Sequence, residues 1–109
     1  MIAVSDEDIQ KALDYLMESA PKIGNAAAEV DKCRGMLKAT KALAMKASGE
    51  SSAAAQEREA YASEQYKAAL QNEFQAVREF QTLKAYREAA SARIDAWRSS
   101  SANQRAVKL

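Results

Sequence analysis

Apolar and small residues recur at helical spacing along the first half of the chain. Large residues repeat every seven positions, and a track of smaller residues follows three positions later: Ile9, Leu16, Ile23, Val30, Leu37 and Ala44, then Ala12, Ser19, Ala26, Cys33, Thr40 and Ala47. This alternation predicts a helix over residues 5–47 with one packed side, beginning at Ser5 as N-cap with acidic residues after it. Because Pro21 removes a backbone hydrogen bond and crowds the preceding turn, we expect a kink or a brief break near 18–22.

A second pattern of the same kind follows "SGESS" at 48–52, where Gly49 suits the left-handed conformation that ends many helices. Its steps of three and four run through Ala62, Tyr66, Ala69, Glu73, Ala76, Phe80, Leu83, Arg87, Ala90, Ile94 and Trp97. The pattern predicts a turn at 48–52, a helix over 53–100 and a basic tail at 101–109. Large residues on each helix can pack on small residues of the other. The chain is therefore predicted to be all-α, a single domain over 1–109 that forms a long, coiled-coil-like antiparallel two-helix hairpin.

The order of charges along the chain supports the antiparallel arrangement. Residues 5–31 carry seven acidic and two basic side chains, a net charge of −5, whereas 32–48 carry five basic side chains and no acidic one. The second helix repeats this order, with a net charge of −3 over 49–66 and +4 over 84–109. Folding back places each acidic end beside a basic one, which specifies orientation more than it adds stability.

A two-helix hairpin buries only one stripe of each helix, so a further interface is expected. Leu70, Phe74 and Val77 lie at i, i+4 and i+7, beside the packed side of the second helix. We interpret these three residues as an oligomer interface and favour a dimer that completes a four-helix bundle. The alternative is that Phe74 is a scattered exposed apolar residue, which is common on protein surfaces.

Residue types that carry catalysis are scarce. The chain has no histidine, which removes the commonest general base and the commonest metal ligand, and its one cysteine, Cys33, falls on the packed side without a base to activate it. The acidic residues 6–8 are better explained as helix capping than as a catalytic cluster. We therefore expect a protein that is not an enzyme and that has no cofactor. One cysteine, an acidic start and no long apolar run favour the cytoplasm.

Aromatic and basic side chains gather near the end of the second helix, the combination with which proteins stack on bases and contact phosphates. The candidate residues for a nucleic-acid or partner-binding surface are Tyr86, Arg87, Arg93, Trp97, Arg98, Arg105 and Lys108. The alternative is a structural end-cap, in which Trp97 continues the packed side while Arg93 and Arg98 meet the acidic first turn. The net charge of +1 is far below that of typical autonomous DNA-binding proteins.

The stretches "SDEDIQKALDYL", "KATKALAMK" and "ARIDAWRSSSANQRA" resemble a family of small phage- and prophage-encoded helical proteins without an established activity. The resemblance covers most of the chain and is specific at its two ends. It implies a protein of the host cytoplasm, encoded near phage recombination and replication genes. It implies no functional residues. Pro21 and the short "SGESS" turn depart from the family pattern.

Two functions remain open at this point. The first is a non-enzymatic accessory factor for phage DNA recombination or replication, which binds single-stranded DNA or a recombination protein through the basic aromatic end. The second is a structural protein, a helical spacer or chaperone in phage particle construction. Salt-dependent retention on single-stranded DNA would favour the first function.

Overall fold

The chain is all-α, as predicted. A computed structural model describes residues 4–108 and contains three helices in this range and no strand: α1 is Asp6–Ala47, α2 is Ala53–Ala62 and α3 is Glu64–Lys108. The side chain of Lys108 lies outside the described part. The long helices α1 and α3 pack against each other as a hairpin.

The start of α1 is capped as its sequence predicts. The Ser5 hydroxyl accepts a hydrogen bond from the Asp8 backbone N–H at 3.1 Å, and the Asp8 carboxylate accepts one from the Ser5 N–H at 3.4 Å. This reciprocal pair satisfies two backbone donors, and Asp6, Glu7 and Asp8 place negative charge at the positive end of the helix. The helix therefore begins one residue after the predicted boundary.

Helix α1 continues through Pro21 without interruption, so the break expected as one alternative near 18–22 is not observed. Since Pro21 has no N–H, the carbonyl of Met17 loses the donor that it would have four residues later. Both residues lie on the exposed side of the helix. Water can reach this side and bond the freed carbonyl, so the helix tolerates the proline.

The predicted turn at 48–52 separates α1 from α2. Gly49 has φ +76°, the left-handed conformation that glycine adopts without a steric penalty. Ser52 then caps α2, and its hydroxyl accepts a hydrogen bond from the Ala55 N–H at 3.1 Å.

The prediction of one continuous helix over 53–100 is wrong, because the helix is interrupted at Ser63. This residue has extended backbone angles, φ −72° and ψ 149°, and its hydroxyl donates to the Ala60 carbonyl at 2.7 Å and accepts from the Tyr66 N–H at 3.1 Å. One serine thus closes α2 and opens α3. Ala62, the last residue of α2, was predicted on the packed side and is exposed.

Over the described residues 101–108, the predicted tail is also not a separate segment, and Leu109 lies outside the described residues. Helix α3 runs to Lys108, eleven residues past Trp97. Serine is only a mildly poor helix former, and neither glycine nor proline interrupts this stretch, so the three serines at 99–101 do not end the helix.

The chain divides into two compact units, and α1 and α3 contribute to both. Residues Asn25–Phe80 form the turn unit, and residues up to Gly24 together with those from Gln81 onward form the terminal unit. The turn unit has a core of Val30, Cys33 and Ala76, with Val77 and Phe80 packed against it. Ion pairs join its helices in antiparallel order: Arg34 Nε to Glu73 Oε1 at 3.7 Å, and Lys41 Nζ to Glu57 Oε1 at 3.0 Å.

The terminal unit is packed mainly through small residues, together with Ile9. Ile9, Ala12, Ser19 and Ala90 are buried there, and all four belong to the predicted tracks. Along its described length, contacts also run in antiparallel order, from Asp6 with Trp97 to Ser19 with Arg87. No helix within residues 4–108 combines the length and the apolar character that a membrane crossing requires.

Candidate binding surface on the C-terminal part of α3

Trp97 is anchored to the start of α1. Its indole Nε1–H donates a hydrogen bond to Asp6 Oδ1 at 3.1 Å, and the side chain is half-buried. Trp97 lies on the packed side of α3, one turn after Ile94, which is also half-buried. The tryptophan therefore acts partly as the end-cap considered from the sequence, while part of its ring stays accessible to a ligand.

Arg87 is a structural residue of the terminal unit rather than a member of an open binding surface. Its Nη1 donates to the Leu16 carbonyl at 2.7 Å and to the Ser19 hydroxyl at 2.6 Å. Ser19 is only 2% exposed, so the guanidinium satisfies a buried polar group between two helices. The interpretation of Arg87 as a ligand-binding residue is not supported by these contacts.

Arg93 lies near the first turn of α1. The pKa of Asp8 is held below its usual value chiefly by its side-chain and backbone hydrogen bonds with Ser5, and to a smaller extent by the positive charges of Lys11 and Arg93. Arg93 itself is exposed. It therefore meets the acidic turn electrostatically, as expected, and remains accessible to solvent.

Arg98 and Arg105 line a hollow on α3, together with Trp97, Ser101 and Gln104. Arg98 does not pair with the first turn of α1. Its Nη1 lies 4.0 Å from Asp95 Oδ1 on its own helix, and both side chains are more than two-thirds exposed. Both arginines can therefore contact a ligand while Trp97 fixes the inner edge of the hollow.

Tyr86, Arg87 and Arg93 do not line this hollow. Tyr86 is 62% exposed and stands three helical turns before Trp97, and Lys108 has a side chain outside the described part. Sequence reasoning missed Ser101 and Gln104. The spacing from Trp97 to Ser101 and Gln104, at i+4 and i+7, could have identified them as neighbours on one helical face.

The candidate oligomer stripe is only partly free. Leu70 and Phe74 are exposed, but Val77 packs against the core of Val30, Cys33 and Ala76. Val77 is half-buried and contributes to the packing of the turn unit, so it is less available to an intermolecular interface than Leu70 and Phe74. The large apolar side chains of Leu70 and Phe74 remain exposed.

A polar cluster that the sequence did not reveal joins α1 to α2. Lys41 Nζ lies 3.0 Å from Glu57 Oε1 and 4.7 Å from the centre of the Tyr61 ring, and the Tyr61 hydroxyl donates to the same carboxylate oxygen at 3.0 Å. Tyr61 and Glu57 raise the pKa of Lys41 to about 12, and hydrogen bonds from Lys41 and Tyr61 lower the pKa of Glu57. Tyr66 packs edge-on against Tyr61, with 5.1 Å between the centres of the two rings.

Cys33 is a free, buried thiol in the core of the turn unit. Burial raises its pKa, and the nearby Glu29 carboxylate, which accepts its S–H at 3.7 Å, raises it further. A raised pKa keeps the thiol protonated and weakly reactive. Within residues 4–108, no group of three or more cysteine or acidic side chains is arranged to hold a metal ion.

Comparison of the chain with protein families, with curated proteins and with solved structures finds no match.

Proposed function

We propose that this chain is a non-enzymatic accessory protein of phage DNA recombination or replication, which acts in the host cytoplasm by binding single-stranded DNA or a recombination protein. The observation that carries the proposal is the hollow on α3, where Arg98 and Arg105 flank Ser101 and Gln104 beside the half-buried Trp97. These side chains combine positive charge, hydrogen-bonding groups and an aromatic ring on one helical face.

The spacing of the two arginines suits a nucleic-acid strand. They stand seven residues apart on α3, which is about 10.5 Å along the helix axis and two turns of the helix. Guanidinium groups bind phosphate oxygens in bidentate fashion, and bases stack on aromatic rings with little sequence preference. A strand that follows this face of α3 would meet both arginines and the exposed part of Trp97.

The neighbouring acidic group is a weak competitor for the ligand. Asp95 lies at the outer limit of an ion pair with Arg98, at 4.0 Å, and both side chains are largely exposed. Exposed pairs of this kind contribute little free energy, so a phosphate can replace the carboxylate as the partner of Arg98. Because the net charge of the chain is only +1, its overall attraction to DNA is weak, and binding should depend on these few contacts.

The first prediction is that Arg98→Ala with Arg105→Ala weakens retention on single-stranded DNA and makes it less sensitive to salt. Log affinity falls as log salt concentration rises, and each lost phosphate contact should make this slope shallower by about 0.7. Binding is measured by fluorescence anisotropy of a labelled oligonucleotide over a series of salt concentrations.

The matched control is Lys38→Ala with Lys46→Ala, which removes the same charge from exposed positions of the turn unit. This variant should bind DNA with the salt slope of the unchanged protein. If the arginine variant also binds like the unchanged protein, the proposed DNA-binding surface is wrong. If the unchanged protein shows no salt-dependent DNA binding, the DNA-binding form of the proposal is wrong.

A second candidate function is a structural one, a helical spacer or chaperone in phage particle construction. It is favoured by the exposed Leu70 and Phe74, because exposed apolar side chains at adjacent helical positions suit contact with another protein. Under this proposal the chain acts as a homo-oligomer, with a dimer as the simplest form.

A further inference from the structure

The turn unit carries a groove along one side of its helices. The groove consists of two adjoining hollows, and Thr40 and Gln65 line both of them. Ser48 lines the first hollow and Glu79 lines the second. Alanines from α1, α2 and α3 provide much of the lining, which allows another backbone to approach closely. We call this surface the turn-unit groove.

Large apolar side chains line the turn-unit groove and remain exposed. Met36 is 56% exposed in one hollow and Leu43 is 68% exposed in the other. They stand seven residues apart on α1, so they present apolar groups two helical turns apart on the same face. An apolar groove with this spacing suits an α-helix laid along it.

The charged side chains of the turn-unit groove are mainly acidic. Glu29, Glu59 and Glu79 line it, against the single basic residue Lys32. A helix that occupies the groove should therefore be basic and should carry small or apolar residues toward the alanines. Complementary charge would guide its approach and disfavour acidic partners.

The chain itself carries a helix of this description. Residues 98–108 contain Arg98, Arg105 and Lys108 and no acidic residue, and this segment is the last part of α3. It includes the small residues Ala102 and Ala106, and Val107 is 86% exposed. In charge, size and helical state, the segment matches what the groove would accept.

We propose that the turn-unit groove binds residues 98–108 of a second copy of this chain. The contact is heterologous, because it joins two different surfaces of the molecule, and such contacts build rings or open assemblies. It does not depend on DNA binding. It does use Arg98 and Arg105, so a bound DNA strand and a second copy would compete for these side chains.

The experiment is a charge exchange between full-length chains, all carrying Phe74→Glu so that the apolar surface at Leu70 and Phe74 cannot contribute. The groove variant carries Glu59→Lys with Glu79→Lys, and the end variant carries Arg98→Glu with Arg105→Glu. Each variant alone should self-associate at least about tenfold more weakly than the Phe74→Glu parent, because like charges then face each other. Association is measured by analytical ultracentrifugation at low salt.

Mixing the two variants should restore association to within about threefold of the parent, since the lysine-bearing groove now faces a glutamate-bearing segment. Raising the salt concentration should weaken both the parent and the mixed assembly. All four glutamate and arginine positions are exposed, and circular dichroism should show that both variants keep their helix content.

The matched control carries Glu18→Lys with Glu88→Lys, which makes the same change of net charge at exposed positions of the terminal unit. It should associate like the parent. The proposal is overturned if the parent stays monomeric, if the groove variant associates as well as the control, or if mixing restores nothing. DNA binding is measured separately on the groove variant and on the control, and because both gain the same positive charge, both should bind DNA at least as well as the parent. A failure of self-recognition is therefore distinguishable from a failure of DNA binding.

Discussion

At the scale of single residues, two polar side chains occupy packed positions because they satisfy each other. Ser19 and Arg87 both fall on the predicted tracks, where apolar or small residues otherwise predominate. The Arg87 guanidinium bonds the Ser19 hydroxyl and the Leu16 carbonyl at 2.6 and 2.7 Å. A buried hydroxyl without a partner is costly, so this arginine is part of the fold of the terminal unit.

The corresponding prediction concerns Arg87→Met, which keeps an extended apolar side chain but removes the donors. Unfolding free energy should fall by about 1–3 kcal/mol, the usual cost of leaving a buried polar group without its partner. Urea denaturation measures this change. Lys84→Met, at an exposed position of α3, is the control and should change stability by less than about 0.5 kcal/mol.

Adding Ser19→Ala to Arg87→Met tests the pairing itself. Since the alanine removes the hydroxyl that lost its donor, the double variant should lose less than the two single variants together. Strictly additive losses would contradict a direct interaction between Ser19 and Arg87.

The sequence could reveal the positions of Ser19 and Arg87 but not their pairing. Both lie on the packed tracks, yet an arginine near other arginines and Trp97 also fits a ligand-binding surface. Which description holds depends on the distance between two side chains 68 positions apart in the chain. A periodic pattern contains no information about that distance until the register of the two helices is known.

At the scale of elements, the heptad pattern predicted the packed sides well because it reports burial directly. From Tyr66 to Trp97, every position of α3 that was predicted on the packed side is buried or half-buried. The same is true of every predicted position of α1 from Ile9 to Ala44. The break at Ser63 was missed because it involves neither glycine nor proline. Its only local signal is a serine followed by Glu64, a capping residue followed by an acidic first turn.

Helix α2 is held to α1 by the Lys41–Glu57–Tyr61 cluster, and this contact should make stability depend on pH. The pKa of Glu57 is lower in the folded chain than its usual value of 4.5, so the unfolded chain binds a proton more readily. The contribution of Glu57 is therefore present above about pH 4.5 and is lost as the pH falls through the lowered pKa.

We accordingly expect Glu57→Gln to remove part of the acid sensitivity of the unfolding transition. Between pH 7 and pH 3, the urea midpoint of the variant should fall less than that of the unchanged protein. Asp8, whose pKa is also lowered, is present in both proteins and cancels in the comparison. Glu59→Gln, on the same helix, is the control, and equal acid sensitivity of all three proteins would contradict the role of Glu57.

At the scale of the whole molecule, the folded chain leaves large apolar groups uncovered in both units. Met17 and Tyr86 are exposed in the terminal unit, and Leu43, Leu70 and Phe74 are exposed in the turn unit. Two helices facing each other bury only one stripe apiece, so residues beside the stripes stay open. The sequence predicted Leu70 and Phe74 as such residues, but it could not show that Val77 is half-buried against the core of the turn unit.

The final prediction is that Phe74→Glu removes the contact made through Leu70 and Phe74 and so weakens self-association by about tenfold or more. The association that remains is the groove contact, and helix content stays unchanged. Phe74 is 61% exposed, so the substitution removes little intramolecular packing, whereas an intermolecular apolar contact would have to bury the new carboxylate. Tyr86→Glu is the matched control, because Tyr86 is an aromatic residue of equal exposure, 62%, outside the turn unit. Sedimentation equilibrium of both variants at several concentrations, with circular dichroism on the same samples, makes the measurement. If the two variants associate equally well, Phe74 is a solitary exposed side chain, and the structural proposal loses the observation that favours it.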